Sequence, residues 1–260
     1  MKKYSVISFN FSNYEILREP DELDPEAEYV YVTDNYEIKS DKWKVIYYKP
    51  NEDPIYNSFY VRYHPFEFTT TNTVIVLDGS IKIKKSLRKL YNDFVSSNCD
   101  IGLVGNSFFE TPLKEAFFWK QKFINKKDSH YFDNDAFSKI HQLLEHYNLI
   151  YYKHNFEAGV KICQNNKICN DFNELIWHHL LFLGGSRIFR LDQPIITLIH
   201  KVFFNHIKVF LCSRQLIQNK YLTYCRHGTS IPDNKKIKDY VWFNNDKCTP
   251  YILNWMRLDS

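Results

Sequence analysis

The sequence lacks the short motifs that mark the commonest zinc, nucleotide and hydrolase sites. Its six cysteines include no C-x-x-C pair, which argues against a structural zinc site. There is no G-x-x-x-x-G-K-[ST] loop, no G-x-G-x-x-G and no G-x-S-x-G. These absences exclude the most frequent nucleotide-binding and serine-hydrolase signatures. Any binding or catalytic site must therefore be formed by residues outside these common motifs.

Glycine is scarce, with seven residues in 260, and the chain has no repeat or low-complexity linker. No apolar run reaches 18 residues, and Met1-Lys2-Lys3 is followed only by a short apolar stretch. These features predict a cytoplasmic protein without a signal peptide or a membrane span, whose cysteines are reduced. A location at the inner membrane surface stays open as an alternative.

The net charge of +4 is mild and is spread along the chain. A dedicated nucleic-acid binder needs a concentrated basic stripe, so no nucleic-acid partner is predicted. The charge suits a small anionic substrate or a peripheral association with an acidic membrane surface. A hydrophobic content of 44% and a charged content of 25% are typical of one large globular domain at this length.

Short apolar runs alternate along the chain with amphipathic segments, which predicts strands alternating with helices. Strands are predicted at 4–9, 29–33, 43–48, 74–77, 100–104 and 159–163. Helices are predicted at 87–94, 112–125 and 133–147, from Asp171 to 183, and from Asp192 to 211. The pattern predicts a single α/β domain over residues 1–260, with a mainly parallel central sheet flanked by helices. Residues from about 205 to 260 are predicted to form a helical extension.

Polar residues follow three of the predicted strands. Asp34 follows the second, Asp78-Gly79-Ser80 the fourth, and Asn165-Asn166 the last. In open α/β sheets ligands bind at the carboxyl ends of the strands, so these side chains are expected to line one mouth. An ordinary strand-end turn is the competing interpretation of Asp78.

Asp78 and Ser80 form a D-x-S motif. One carboxylate and a neighbouring oxygen suit Mg²⁺ or Mn²⁺ when a substrate diphosphate supplies the other ligands. His227 follows a long predicted helix, and a chain folding back would place it at this metal. The His141–Glu145 and His178-His179 pairs favour surface pairing or packing instead.

Asp192-Gln193 opens a predicted helix. An aspartate at this position is most often a helix cap. The functional alternative is a carboxylate and an amide that bind sugar hydroxyls or serve the reacting centre.

Six segments in order resemble those of the DUF616 family of glycosyltransferase-like proteins. They are F-S-N-Y-E-I-L (11–17), Y-V-T-D-N (31–35), V-I-V-L-D-G-S-I (74–81), K-E-A (114–116), E-A-G-V-K-I-C-Q-N-N (157–166) and R-L-D-Q-P (190–194). The resemblance covers residues 4 to about 205. It implies a Rossmann-type fold of the GT-A kind, a nucleotide diphosphate sugar as donor substrate, and Mn²⁺ or Mg²⁺ at a D-x-D-like motif.

The resemblance also implies roles for individual residues. Asp192 and Gln193 match the family's DQ pair, Asp78 matches its strand-end aspartate, and Asp34 and Tyr14 match positions in its nucleotide-side loops. Taken with the other polar candidates, the expected catalytic residues are Asp192 and Gln193. The expected donor-binding set is Asn10, Tyr14, Asp34, Arg62 and Asp78, and the expected metal set is Asp78, Ser80 and His227.

Three positions depart from the family's pattern. Ser80 stands in place of a second carboxylate, Gln164 in place of an arginine, and Asn106-Ser107 in place of a His-Pro pair. Two functions are therefore carried forward. The first is a metal-assisted hexosyltransferase acting on a glycan or glycolipid acceptor. The second is a non-catalytic nucleotide-sugar or carbohydrate-binding module of the same fold.

Overall fold

A computed structural model describes residues 1–106, 108–124, 134–183, 192–229 and 250–252. Its centre is an eight-stranded sheet with the order β10-β8-β6-β7-β4-β1-β2-β3. The strands are β1 (Tyr4–Asn10), β2 (Ala27–Thr33), β3 (Lys44–Tyr47), β4 (Thr73–Asp78), β6 (Ile101–Gly105), β7 (Phe156–Gln164), β8 (Lys208–Ser213) and β10 (Pro250–Ile252). A second, two-stranded sheet pairs β5 (Ile81–Ile83) with β9 (Leu222–Tyr224).

The central sheet is mostly parallel, as predicted. Strands β1, β2, β3, β4, β6 and β8 run in one direction, whereas β7 and β10 run against their neighbours. Runs such as Val74–Leu77 are buried on both faces, which suits β-branched residues in the middle of a sheet. Because β7 is reversed, its first residues lie beside the last residues of β4 and β6.

This reversal corrects one sequence prediction. In the register, Gln164 pairs with Thr73 at the start of β4, so Asn165 and Asn166 lie at the edge opposite Asp78. The Asn166 side chain accepts the Cys169 amide at 2.8 Å and thereby caps the following helix. That helix begins at Lys167 rather than at Asp171. Asn165 and Asn166 therefore belong to a helix start and not to the predicted mouth.

Helices cover both faces of the sheet. They are α1 (Pro54–Tyr63), α2 (Arg88–Ser96), α3 (Pro112–Ile124), α4 (Asn134–His146), α5 (Lys167–Leu183), α6 (Asp192–Phe203) and α7 (Arg214–Lys220). One core contains apolar residues of α1, α3, α4, α5 and α6 together with one face of β6, β7 and β8. A second contains residues of α2, α7, β5 and β9 with the opposite face. A third contains Val61 of α1 and apolar residues of β1, β2 and β4. No helix among the described residues is long and apolar enough to cross a membrane.

The carboxyl-terminal part differs from the prediction. Helix α6 ends at Phe203, and the apolar run Val209–Cys212 is a buried strand rather than the end of that helix. A short apolar run is compatible with a strand or a buried helix, and periodicity alone does not separate them. The described part beyond residue 205 contains β8 and β9 as well as α7, so it is not a helical extension.

Replacing a β8 core residue tests this placement. Phe210 is fully buried and meets Phe94 edge to face, with ring centroids 5.7 Å apart. Phe210→Ala is expected to lower the free energy of unfolding by about 3–5 kcal/mol through lost burial and a cavity. Equilibrium denaturation with urea measures the change. The control is Lys208→Ala, at the exposed first residue of β8. Equal losses in the free energy of unfolding from the two changes would contradict a buried β8.

Candidate functional site

Arg62 joins two predicted site residues that are far apart in sequence. Its guanidinium donates one N–H to Asp78 Oδ1 at the end of β4 and another to Asp192 Oδ2 at the start of α6. The side chains of Arg62 and Asp192 are 10% and 4% exposed, whereas that of Asp78 is 32% exposed. The ion pairs therefore gather three predicted residues at one sheet edge, with Asp78 facing outward.

The position of Arg62 follows from how α1 begins and ends. The Asp53 carboxylate caps the helix by accepting the Ile55 and Tyr56 amides, and Pro54 starts its first turn. At the other end, Lys161 of β7 donates to the Arg62 carbonyl at 2.8 Å. Lys161 also donates to the Asn173 side chain at 2.9 Å. These bonds tie the last turn of α1 to the sheet, and the guanidinium is set from there.

Burial and charge oppose each other in this cluster. Burial disfavours the charge of Arg62, but Asp78 and Asp192 outweigh it and raise the Arg62 pKa. Burial also raises the pKa of Asp192, against the opposing effect of Arg62. The Tyr63 hydroxyl donates to Asp192 at 3.4 Å. Two carboxylates share one guanidinium, so the ionised cluster carries an excess negative charge.

Gln193 is held by a separate set of hydrogen bonds. The Asn106 amide at the end of β6 donates to Gln193 Oε1 at 3.0 Å and to Glu115 Oε2 at 3.2 Å. The Thr197 hydroxyl lies 3.2 Å from the Gln193 carbonyl and bonds Asn155 at 2.8 Å. With its side-chain oxygen engaged by Asn106, Gln193 has its NH₂ group as the donor that it can offer to a ligand.

Glu115 is the buried anchor of these amides. It accepts hydrogen bonds from Asn106, Asn155 and the Trp119 indole, the last at 3.3 Å. Burial raises the Glu115 pKa to about 8, because it outweighs the lowering by Asn155 and Trp119. The K-E-A segment was predicted only as part of a helix. A carboxylate among the apolar residues of α3 was the signal that could have identified it.

The β4–β5 turn needs glycine at position 79. A Cβ there would lie 2.6 Å from the Phe9 carbonyl and 3.2 Å from Glu15 Cγ. The Arg18 guanidinium donates to the Gly79 carbonyl. The turn that carries Asp78 and Ser80 is therefore pressed against the loop that follows β1.

His227 comes to the same turn. Strands β5 and β9 are antiparallel with Ile81 opposite Tyr224, and the Cys225 amide donates to the Ser80 carbonyl at 2.8 Å. Continuing that register brings His227 alongside the Asp78 turn. The His227 Nδ1 atom forms a close hydrogen bond with the Glu15 carboxylate.

The remaining donor-binding candidates shape the loop after β1. The Asn10 side chain bonds the Glu15 backbone twice, at 2.6 and 2.8 Å. The Asp34 carboxylate accepts the Ser12 amide at 2.9 and 3.0 Å. Tyr14 is exposed, with its ring centroid 5.3 Å from that of His227. Asn10 and Asp34 therefore hold the loop, and Tyr14 is the member that presents a surface to a ligand.

A further ion pair lies near this edge. Arg214, at the start of α7, donates to Glu157 of β7 at 3.0 Å. Its guanidinium lies over the rings of Phe108 and Tyr224, at 4.6 and 4.0 Å. Sequence reasoning missed this pair, as it missed Lys161 and Glu15. For Glu157 and Lys161 the available signal was a charged residue within the apolar run of β7.

The expected metal ligands fit a cation only in part. Among the described residues, no three His, Cys, Asp or Glu side chains are grouped so that they could hold a metal ion. Asp78 uses one oxygen for Arg62 and is otherwise partly exposed. Together with Ser80 on the same turn and His227 on the segment after β9, Asp78 suits a cation that takes most of its ligands from a diphosphate. They do not suit a site built from protein ligands alone.

Comparison with known proteins gives weak structural likenesses only. No protein-family model matches the chain, so membership of the DUF616 family stays a prediction. No curated protein matches either. Ser107 and Arg190, which belong to compared segments, lie outside the described residues.

The solved structures that resemble the chain include a mannosyltransferase, a core-mannan synthase and a xylosyltransferase. The mannosyltransferase Ktr4p from S. cerevisiae is 12% identical, with a TM-score of 0.45 over 95% of this chain and 80% of that one. Core-mannan synthase A from Aspergillus fumigatus, in its Mn/GDP form, is 13% identical, with a TM-score of 0.42 over 95% and 83%. Mouse Xyloside xylosyltransferase 1 is 13% identical, with a TM-score of 0.39 over 77% and 82%. These scores are too low to support an inference about activity.

Removing the Arg62 guanidinium, which Asp78 and Asp192 share, should destabilise the protein. Arg62→Leu leaves Asp78 and Asp192 without their guanidinium, and breaking such a buried pair costs about 3–5 kcal/mol. Urea denaturation at neutral pH measures this loss. The double change Arg62→Leu with Asp192→Asn should recover part of it, because the buried carboxylate is then neutral. No loss in the single variant would contradict the bridging role of Arg62.

Glu115 should make stability depend on pH. Its folded-state pKa of about 8 lies above the ordinary value of 4.5, so the folded state binds more protons between these limits. The free energy of unfolding should therefore fall as pH rises through this window, by at most about 1.4 kcal/mol per pH unit. Glu115→Gln does not titrate and should lose this contribution, whereas the exposed control Glu145→Gln should retain it. Parallel pH profiles of wild type and Glu115→Gln would contradict the shift.

Proposed function

We propose that the protein is a metal-assisted glycosyltransferase. It moves a hexose from a nucleotide diphosphate sugar to a glycan or glycolipid acceptor. The observation that carries this proposal is the pair of ion pairs made by Arg62. They unite Asp78 and Asp192 at the carboxyl end of β4, although 114 positions separate these two residues in the sequence. Ligands of open α/β sheets bind at this edge.

The proposed role of each residue follows from how exposed its side chain is. Asp78 and Ser80 on the β4–β5 turn, with His227 on the segment after β9, are the protein groups that would hold the cation. A bound Mn²⁺ or Mg²⁺ would supply positive charge where the diphosphate departs. Asp192 and Gln193 lie deeper and offer a carboxylate and an amide to the hydroxyls of the transferred sugar. The exposed Tyr14 ring provides a surface for the nucleoside, on a loop held by Asn10 and Asp34.

The proposed reaction exchanges one bond at the anomeric carbon. The bond from this carbon to the diphosphate oxygen breaks, and a bond to the acceptor oxygen forms. The acceptor hydroxyl releases its proton, and the nucleoside diphosphate leaves with the bonding electron pair. Fixed groups aimed at the leaving charge and at the sugar would lower the barrier, because they need no reorganisation during the reaction.

A non-catalytic nucleotide-sugar or carbohydrate-binding module is the second candidate. Ser80 and Gln164 were its motivation in the sequence. Gln164 lies at the opposite edge of the sheet from Asp78, so its identity does not bear on this site. The binding-module hypothesis therefore depends on Ser80 as the replacement for a second carboxylate.

A panel of nucleotide sugars with Mn²⁺ tests the proposal. Wild-type protein should bind at least one donor by calorimetry and hydrolyse or transfer its sugar. Asp78→Asn and Asp192→Asn should each weaken binding or turnover about tenfold or more, the size of one charged hydrogen bond. Asp93→Asn, at a partly exposed aspartate on α2 that pairs with Lys89, should change neither.

Two outcomes would decide against the transferase. Binding of a donor without any turnover would favour the non-catalytic module. No binding by any panel member, together with unchanged behaviour of Asp78→Asn, would reject both functions at this site.

A further inference from the structure

We infer that Asn106 sets the hydrogen-bonding polarity of Gln193. It takes up the Gln193 amide oxygen, so that only the Gln193 N–H groups are left for a ligand. Asn106 is thus a positioning residue, and it makes this part of the site select a ligand group that accepts a hydrogen bond. This inference rests on the proposed function, because it takes the hexose of the donor as the ligand.

The orientation of the Asn106 amide is fixed by the backbone. Its Oδ1 atom accepts the Phe108 amide at 2.9 Å and the Phe109 amide at 3.1 Å. Backbone amides can only donate, so the oxygen of Asn106, and not its NH₂ group, must lie on that side. The Asn106 backbone amide in turn donates to the Asn155 carbonyl at 2.8 Å. The side chain therefore cannot turn over without opposing its NH₂ group to two other donors.

Both hydrogens of the Asn106 NH₂ group are used. One goes to Gln193 Oε1 at 3.0 Å, and the other goes to Glu115 Oε2 at 3.2 Å. An NH₂ group can only donate, so the Gln193 atom that it contacts must be the oxygen. The remaining polar group of this side chain is the Gln193 NH₂, which has no hydrogen bond within the part of the chain that the structure describes.

A second chain of hydrogen bonds holds Glu115 from the other side. The Phe156 amide donates to the Thr197 hydroxyl at 3.1 Å, and that hydroxyl donates to Asn155 Oδ1 at 2.8 Å. The Asn155 NH₂ group is therefore turned towards Glu115, and it donates to the same Oε2 atom as Asn106. Two chains that each start from backbone donors thus meet at one buried carboxylate. The fold, and not a ligand, sets the direction of both asparagine amides.

Gln193 is the partly exposed member of this network, whereas the other four side chains are buried. It directly follows Asp192, whose carboxylate pairs with Arg62 and acts as an acceptor. Consecutive residues therefore offer one acceptor and one fixed donor. A sugar hydroxyl can donate to the first and accept from the second. A ligand group that can only donate has no partner at Gln193.

Asn106→Asp reverses this polarity with almost no change in side-chain size. One oxygen of the new carboxylate can still accept the Phe108 and Phe109 amides. The other is an acceptor where the NH₂ group was, so the Gln193 amide should turn and present its oxygen to the ligand. Burial raises the pKa of Glu115 to about 8, so at neutral pH it carries a proton that it can donate to the new carboxylate.

Sugar donors with altered hexoses measure the polarity. The analogues lack one hydroxyl at a time or carry fluorine in its place, and fluorine accepts weakly but cannot donate. At the position that Gln193 contacts, the deoxy analogue should bind wild-type protein about tenfold more weakly than the parent donor, the size of one net hydrogen bond. The fluoro analogue should recover about two- to threefold of this loss. Calorimetry measures each affinity.

The ratio of the fluoro and deoxy affinities separates polarity from simple stabilisation. In Asn106→Asp the fluoro analogue should lose its advantage, because fluorine then meets the Gln193 oxygen. A loosened site would weaken both analogues alike and leave their ratio unchanged. The control is Asn92→Asp, the same substitution at an exposed asparagine on α2, and it should retain the wild-type ratio. Thermal melting checks that each variant folds.

Neutron diffraction from crystals of the deuterated protein without a donor locates the amide deuterons directly. In wild-type protein the Gln193 oxygen should face Asn106, and in Asn106→Asp the Gln193 nitrogen should take that place. Because no ligand is needed, this measurement tests the role of Asn106 separately from the proposed function.

Two results would overturn the role of Asn106. One is a wild-type structure in which the deuterated Gln193 nitrogen faces Asn106. The other is donor binding in which the ratio of fluoro to deoxy affinity is the same, at every hexose position, in wild-type protein and in Asn106→Asp. Absence of donor binding would instead remove the proposed function, and the neutron result would still decide how Asn106 orients Gln193.

Discussion

The site depends on one buried guanidinium. Arg62 is the single described side chain that bonds both Asp78 and Asp192, and it brings the end of β4 to the start of α6. Burying the charges of Arg62 and Asp192 is expensive unless each is paired, so removing one of them leaves an uncompensated buried charge. One cation for two carboxylates leaves the cluster negative, and Asp78 is the member exposed enough for a ligand to reach. The same bridge therefore organises the fold at this edge and gives it a charge that a cation would complement.

The reversed strand β7 determines what surrounds this bridge. Running against β4 and β6, it brings its first residues to the edge where the other strands end. Gly159 lies there without a side chain, and a Cβ on it would be 3.4 Å from Asp78 Oδ2. Lys161, two residues further along β7, donates to the Arg62 carbonyl and thereby fixes the last turn of α1. A parallel β7 would have placed Asn165 and Asn166 at this edge instead.

Much of the framework could be predicted from sequence because it depends on local patterns. Buried β-branched runs identified β1, β2, β4, β6 and β7, and apolar spacing identified α2 and α4. Strand direction could not be predicted, since a buried run looks the same in either orientation. The apolar run of β8 was wrongly joined to α6 for a similar reason, because periodicity alone does not separate a short buried strand from the end of a helix.

The site was predictable only in its strand-end and motif residues. Asp78, Arg62, Asp192 and Gln193 were expected to contribute, and the structure brings the first three into contact. Glu15, Glu115 and Lys161 were missed because each contacts a residue far away in sequence, which is His227, Asn155 and Arg62 respectively, and these contacts are known only from the fold. A crystal structure with a nucleoside diphosphate and Mn²⁺ tests the account most directly. It should show the diphosphate at the Asp78-Gly79-Ser80 turn, with Asp78 and His227 on the cation and Arg62 still joining Asp78 to Asp192. A nucleotide bound elsewhere, with this turn empty, would contradict it.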